Sequence, residues 1–331
     1  MRKSKLALVF VFCSIAAMAD SVNGDLFFTT FNGGNNVHKV SYNFDGTTFS
    51  LGAVGNLAAT PGADGIIFAP DGDLLVGGQG NAVHKVDPGT GTFVSITPNA
   101  TAFHLALDPS GDFFYASSIP GNPIATVPLD PAFANGTAHS IVGDDSAVTS
   151  IAFVGSTAYY TTSGSGGVGS FGTIDLTANP QAAATYTTTR ILASLPAAHG
   201  MVFDPFTGDL MLFGEGHITQ IDPVTHLIVS DLAVAGVNFD QGAVDGKGHA
   251  FVASNTGTLA FVDYKTSGLI NDAGNFFANP FLASALDDVA PLAGLGAPPP
   301  RVVPEPSAIV LLASALAGCA LYHRYRRSRA I

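Results

Sequence analysis

One frame recurs along the chain and limits what it can fold into. DGIIFAPDGD begins at Asp64, runs into LLVGGQG, and is followed by AVHKVDPGTG. The frame returns as HLALDPSGD and FFYASS from His104, and as TSIAFVG and AYYTTS from Thr149. It returns again as HGMVFDPFTGD, LMLFGEG and HITQIDPVTH from His199, and as DQGAVDGKG, AFVASNTG and LAFVDYKTSG from Asp240. Short runs rich in Val, Ile, Phe and Thr, bounded by Gly, Asp, Asn and Pro, read as strands and tight turns. No long stretch before residue 280 has the apolar spacing of a helix. Each unit supplies four strands, and the units start 40 to 50 residues apart.

Four strands per unit at that period predict an all-β fold, a β-propeller. The chain enters in mid-unit. Asp25-Leu-Phe-Phe-Thr-Thr-Phe-Asn reads as a second strand and Asn36-Val-His-Lys-Val as a third. The missing first strand is available in Asp287-Asp-Val-Ala-Pro-Leu. The expectation is six four-stranded blades spanning residues 20–296, closed by pairing of N- and C-terminal strands, which leaves no open sheet edge at the seam; a seven-bladed ring or an open stack is the alternative.

Charge and cysteine placement describe the body's surroundings. Of 13 Lys and Arg, three lie in the first five residues and four in the last eight, while all 25 acids lie between. So acidic a body repels phosphate backbones, which argues against nucleic acid as a partner, and it attracts cations. Nearly all the acids are Asp, a turn residue; Glu215 and Glu305 are the only glutamates. Cys13 and Cys319 lie in the two terminal apolar runs, so no disulfide staples the body. A large core rich in its 24 Phe must do that work.

Residues 1–19 read as an export signal: Arg2, Lys3 and Lys5, then an apolar run to Ile15, then Ala17-Met18-Ala19. At the other end, residues 297–306 form a Gly/Pro linker, 307–323 an apolar helix of membrane-spanning character, and 324–331 a basic tail. The arginines Arg324, Arg326, Arg327 and Arg329 would stay on the cytoplasmic side. The order Pro304-Glu305-Pro306, apolar span, arginine cluster resembles the PEP-CTERM sorting signal of Gram-negative bacteria. That resemblance implies processing by exosortase, a membrane-embedded cysteine protease-transpeptidase. It also implies a transient inner-membrane anchor, then delivery to the cell envelope or extracellular matrix, where exopolysaccharide or envelope proteins are partners.

The repeat frame resembles NHL-repeat, streptogramin-lyase-like and SMP-30-like propellers. In a propeller the starts of the first strands, and the turns between second and third strands, share one face around the axis. That places Asp64, His104, His199, Asp240 and Asp287 there, with Gln79, Asn81, Glu215 and Asn255 from the turns. Carboxylates and amides suit Ca²⁺, and the two imidazoles suit a transition metal. The resemblance implies a Glu/Asn/Asp metal set in the lactonases and channel histidines in the lyases; here Glu215, the one glutamate of the body, reads as a turn residue. Polar groups at such a mouth also serve as plain solvated lining. Asp71-Gly-Asp73 has the letters of a calcium loop but reads as a hairpin turn. No nucleophile elbow, HExxH or CxxC is present. The expected function is an exported binding platform. The alternative is a metal-dependent hydrolase or lyase using His104 and His199.

Overall fold

The computed structural model describes residues 21–31, 36–117, 123–130, 132–164, 166–176 and 185–290. The export signal, the linker with its Pro-Glu-Pro motif, the apolar helix and the arginine tail lie outside the described residues. Among the described residues all regular structure is β, and no helix is long and apolar enough to cross a membrane.

The strands group as the repeats predict. The first group holds β1 (Val22–Thr30), β2 (Val37–Phe44), β3 (Phe49–Leu51) and β4 (Gly55–Ala58). The second holds β5 (Ala63–Phe68), β6 (Leu74–Gly78), β7 (Val83–Val86) and β8 (Phe93–Ile96). The third holds β9 (His104–Leu107), β10 (Phe113–Ser117), β11 (Ile124–Pro128) and β12 (Thr137–Gly143). The fourth holds β13 (Val148–Val154), β14 (Thr157–Thr162), β15 (Val168–Asp175) and β16 (Thr185–Pro196). Then come β17 (Gly200–Phe203), β18 (Leu210–Gly214), β19 (His217–Ile221) and β20 (Ile228–Ala233). The last are β21 (Phe239–Val244), β22 (His249–Ser254), β23 (Leu259–Asp263), β24 (Phe276–Ala278) and finally β25 (Leu286–Ala290). Each group is antiparallel; all but the first are simple meanders, and in the first both β3 and β4 pair with β2.

The seam is closed by β25, which pairs antiparallel with β1 and so supplies the strand that the N-terminal unit lacks. The inner strands touch in a cycle: β25 with β5, β5 with β9, β9 with β13, β13 with β17, β17 with β21, and β21 with β25. Glycine permits the closest of these approaches. A Cβ on Gly65 would run into the Phe103 carbonyl beside β9, and one on Gly200 would meet the Gln241 backbone of β21.

Neighbouring sheets are sealed to each other by apolar side chains. Leu26, Phe44 and Phe49 of the first group pack on Phe251 and Phe261 of the last, with Phe49 and Phe261 stacked 4.2 Å apart. Tyr115 and Tyr160 close the gap between the third and fourth groups, and Phe171, Met201 and Leu212 the next. Burying each large apolar side chain contributes about 1.5–3 kcal/mol, so the Phe-rich composition is spent between sheets.

One pairing departs from the repeat. The outer strand β12 runs parallel beside β16, which joins the third and fourth groups into one eight-stranded sheet. The two longest repeat spacings lie here, from His104 to Thr149 and from Thr149 to His199. The extra chain lengthens β16 to 12 residues, enough to carry an additional partner. Thr188 fastens the joint: its hydroxyl donates to the carbonyls of Val142 and Asp145, and the Asp145 amide donates back to it.

Candidate axial site

Pairing at the start of the inner strands is irregular. An extra residue is inserted at Asp64–Gly65 in β5, at Thr149 in β13, at Asp240–Gln241 in β21 and at Asp287–Asp288 in β25. A bulge of this kind bends the strand and re-aims its side chains. In a regular strand Asp287 and Asp288 would face opposite ways; here both carboxylates reach Asp240. Thr29 holds the bulged backbone in place. Its hydroxyl accepts from the Asp288 amide (3.1 Å) and donates to the Asp64 carbonyl (2.6 Å).

Six side chains from five inner strands or their starts converge as a result. Three overlapping triads each have ligand atoms within 4.8 Å of one another: His104, His199 and Asp240; Asp64, His104 and Asp288; Asp240, Asp287 and Asp288. Asp64, His104, Asp240, Asp287 and Asp288 are buried, while His199 keeps 32% of its side chain exposed and marks the open side. The His104 and His199 rings lie 6.4 Å apart, nearly perpendicular. Nδ1 of His104 donates to Oε1 of Gln241 (3.1 Å), and Nδ2 of Asn255 donates to Oδ2 of Asp240 (3.1 Å). Gln79 hydrogen-bonds Asp64.

Much of the acidity has no partner. Oδ1 of Asp240, Oδ2 of Asp287 and both carboxylate oxygens of Asp288 are buried without a hydrogen bond among the described residues. Burial therefore dominates their protonation. It pushes the Asp287 carboxyl up to about 9, helped by the charges of Asp288 and Asp240. It also drives Asp64 and Asp288 well above the usual carboxylate range, with neighbouring aspartates adding to the effect. Asp240 goes the other way. Burial would raise it too, but His199, His104 and Asn255 outweigh that and hold it below its ordinary value.

Sequence reading placed Asp64, His104, His199, Asp240 and Asp287 at one mouth, and the structure brings these five together. Gln79 and Asn255 bond the edge of the group from the turns. Asn81 is exposed in the Gln79 turn. Glu215 stands apart: it is exposed on the β18–β19 turn at φ 47° and belongs to none of the triads. Its left-handed backbone turns the chain rather than aiming a carboxylate at the axis. Asp288 and Gln241 were missed, since strand alternation assigns a residue's neighbour to the opposite face. Asp71-Gly-Asp73 is a hairpin turn, with the Asp73 amide donating to Asp71 and Lys85 paired to both carboxylates.

Two cavities lie away from the carboxylates. One of about 290 Å³ opens at the far end of the inner strands, among Ile67, Leu107, Phe153, Met201 and Phe203, and reaches Gln241. The larger, about 710 Å³, is a cleft between the third and fourth groups, near Asp108, Tyr115, Thr173 and Thr189.

No protein-family model matches the chain, and no curated relative does. Solved structures do resemble it. A chain of a nidogen/laminin complex superposes with TM-score 0.60 at 13% identity, over 81% of this chain and 98% of that one. Virginiamycin B lyase from Staphylococcus aureus gives 0.49 at 9% identity, over 79% and 88%. A streptogramin B lyase gives 0.47 at 12% identity, over 67% and 70%. At 13% identity the likeness to the nidogen/laminin chain shows the propeller fold and no activity.

Proposed function

We propose that the protein is an exported, six-bladed propeller that serves as a binding platform, taking its ligand at the axial mouth. The blade count is supported by the cycle of inner-strand contacts, with the eight-stranded sheet counted as two blades joined at their outer strands. Export, exosortase processing and delivery to the envelope or matrix rest on the terminal segments of the sequence.

One observation carries the reading of the mouth. Side chains distant in sequence meet in one acidic, imidazole-bearing group with a solvent-open edge at His199. Such a convergence of polar groups on a rigid scaffold is how binding sites are built. The test compares the chain with a His104→Ala, His199→Ala double variant in pull-downs from envelope and matrix fractions. A retained polymer or protein that the variant fails to retain is the expected result. Equal retention by both, or none by either, sinks the platform reading. Mass spectrometry of mature protein tests the sorting reading: neither residues 1–19 nor the arginine tail should be found.

A second reading is favoured by the two imidazoles set against carboxylates. In a cation-dependent hydrolase or lyase, His199 at the open edge would move the proton. Turnover abolished by chelation, and by His199→Ala, distinguishes it from the platform.

A further inference from the structure

The geometry assigns a divalent-cation site at the axis, within three overlapping triads in which His104, Asp240 and Asp288 recur, with His199 on the open side. This goes beyond the platform reading and stands whether or not a polymer binds at the mouth. His104, Asp240 and Asp288 each belong to two of the three overlapping triads, whereas Asp64, His199 and Asp287 each belong to one, and no triad holds all three of the first set.

The spacings are those of ligands around an absent centre. Nδ1 of His199 lies 3.5 Å from Oδ1 of Asp240, long for a hydrogen bond. Two ligands each about 2.1 Å from one ion sit roughly 3–3.5 Å apart. The independent sign is the set of orphaned oxygens: one on Asp240, one on Asp287 and both on Asp288, all on side chains more than nine-tenths buried. A buried carboxylate without a donor is costly, and a cation supplies what the protein does not.

The donor set selects the cation. Imidazole nitrogen with several carboxylates suits Mn²⁺ or Zn²⁺ better than Ca²⁺, which takes six to eight oxygens. Gln241 already does what an outer partner of a ligating histidine does. It accepts from Nδ1 of His104, leaving Nε2 of the neutral ring free to bind.

The site also spans the seam. Asp288 lies on β25, the strand that closes the ring, while Asp240 and His104 lie on β21 and β9. A cation in either triad that includes Asp288 ties the latch strand to another unit, to β21 through Asp240 or to β5 and β9 through Asp64 and His104, so it acts as a clasp as well as a site.

Isothermal titration of the purified, chelator-stripped full-length chain with Mn²⁺, Zn²⁺ and Ca²⁺ tests this. One Mn²⁺ or Zn²⁺ per chain is expected, bound at least about tenfold tighter than Ca²⁺. The melting temperature should rise on loading, and β25 amides should gain hydrogen-exchange protection. Asp240→Asn should abolish uptake. Should that variant fail to fold, His199→Ala, at the exposed edge, should keep the fold and weaken binding by at least about tenfold. No stoichiometric uptake of either metal, or unchanged affinity in folded His199→Ala and Asp240→Asn chains, overturns the assignment. Uptake without protection of β25 overturns the clasp.

Discussion

Asp204 and Asp288 are both fully buried, yet their surroundings differ in kind. Asp204 sits in the turn after β17 and accepts from the amides of Phe206 and Thr207, the Thr207 hydroxyl and the Tyr264 hydroxyl. Asp288, on the bulge of β25, has neither oxygen hydrogen-bonded among the described residues. Burial raises both carboxyls, but at Asp204 the donors pull in the opposite direction. The turn acids follow Asp204: Asp45, Asp87, Asp108 and Asp222 all accept from amides two or three residues on. Where local backbone satisfies a carboxylate, it is part of the scaffold. Where four aspartates are gathered with too few donors, the deficit points to a ligand.

Removing Asp204 is the harshest test of that contrast. Asp204→Ala leaves the buried Tyr264 hydroxyl and two amides without their acceptor, and should cost about 2–4 kcal/mol in urea unfolding. A loss under about 1 kcal/mol would erase the distinction. In chelator-stripped protein, Asp288→Asn should be neutral or stabilising by up to about 1 kcal/mol, since it removes a buried acid that accepts no hydrogen bond. Destabilisation beyond about 2 kcal/mol would show that Asp288 is held by partners after all.

A smaller effect sharpens the comparison from a half-exposed site. Burial would raise Asp145, but Arg190, Tyr160 and Ser170 outweigh it and hold its carboxyl below the ordinary range. Asp145 therefore favours the native state fully above the unfolded carboxylate pKa of about 3.9, and that contribution is lost as pH falls through the lower native value. Arg190→Met should lower the urea midpoint at pH 7 by a small amount, because the guanidinium is exposed, and leave it nearly unchanged in acid, so that the midpoint becomes less sensitive to acid. An unaltered acid profile would mean that the ion pair does not hold Asp145.

The candidate site was partly legible for a definite reason. Asp64, His104, His199 and Asp240 open successive repeats, so the period alone places them side by side. Asp287 followed from the need for a closing strand. Asp288 and Gln241 were hidden by alternation, which holds only until a bulge intervenes, and a bulge depends on what the partner strand and Thr29 require. Glu215 has the right chemistry and a suitable turn, but its left-handed backbone and exposure take it out of the group.

Sequence by itself determined the repeat, its four strands, the turn acids and the seam between the chain's two ends. These arise from residues near one another in the chain, or from a pattern that repeats at a set period. Only the tertiary structure decided that β12 crosses to β16, that paired aspartates share one face, and which carboxylates are left without donors. Those outcomes depend on which strands meet across hundreds of residues, and on how much water their meeting excludes.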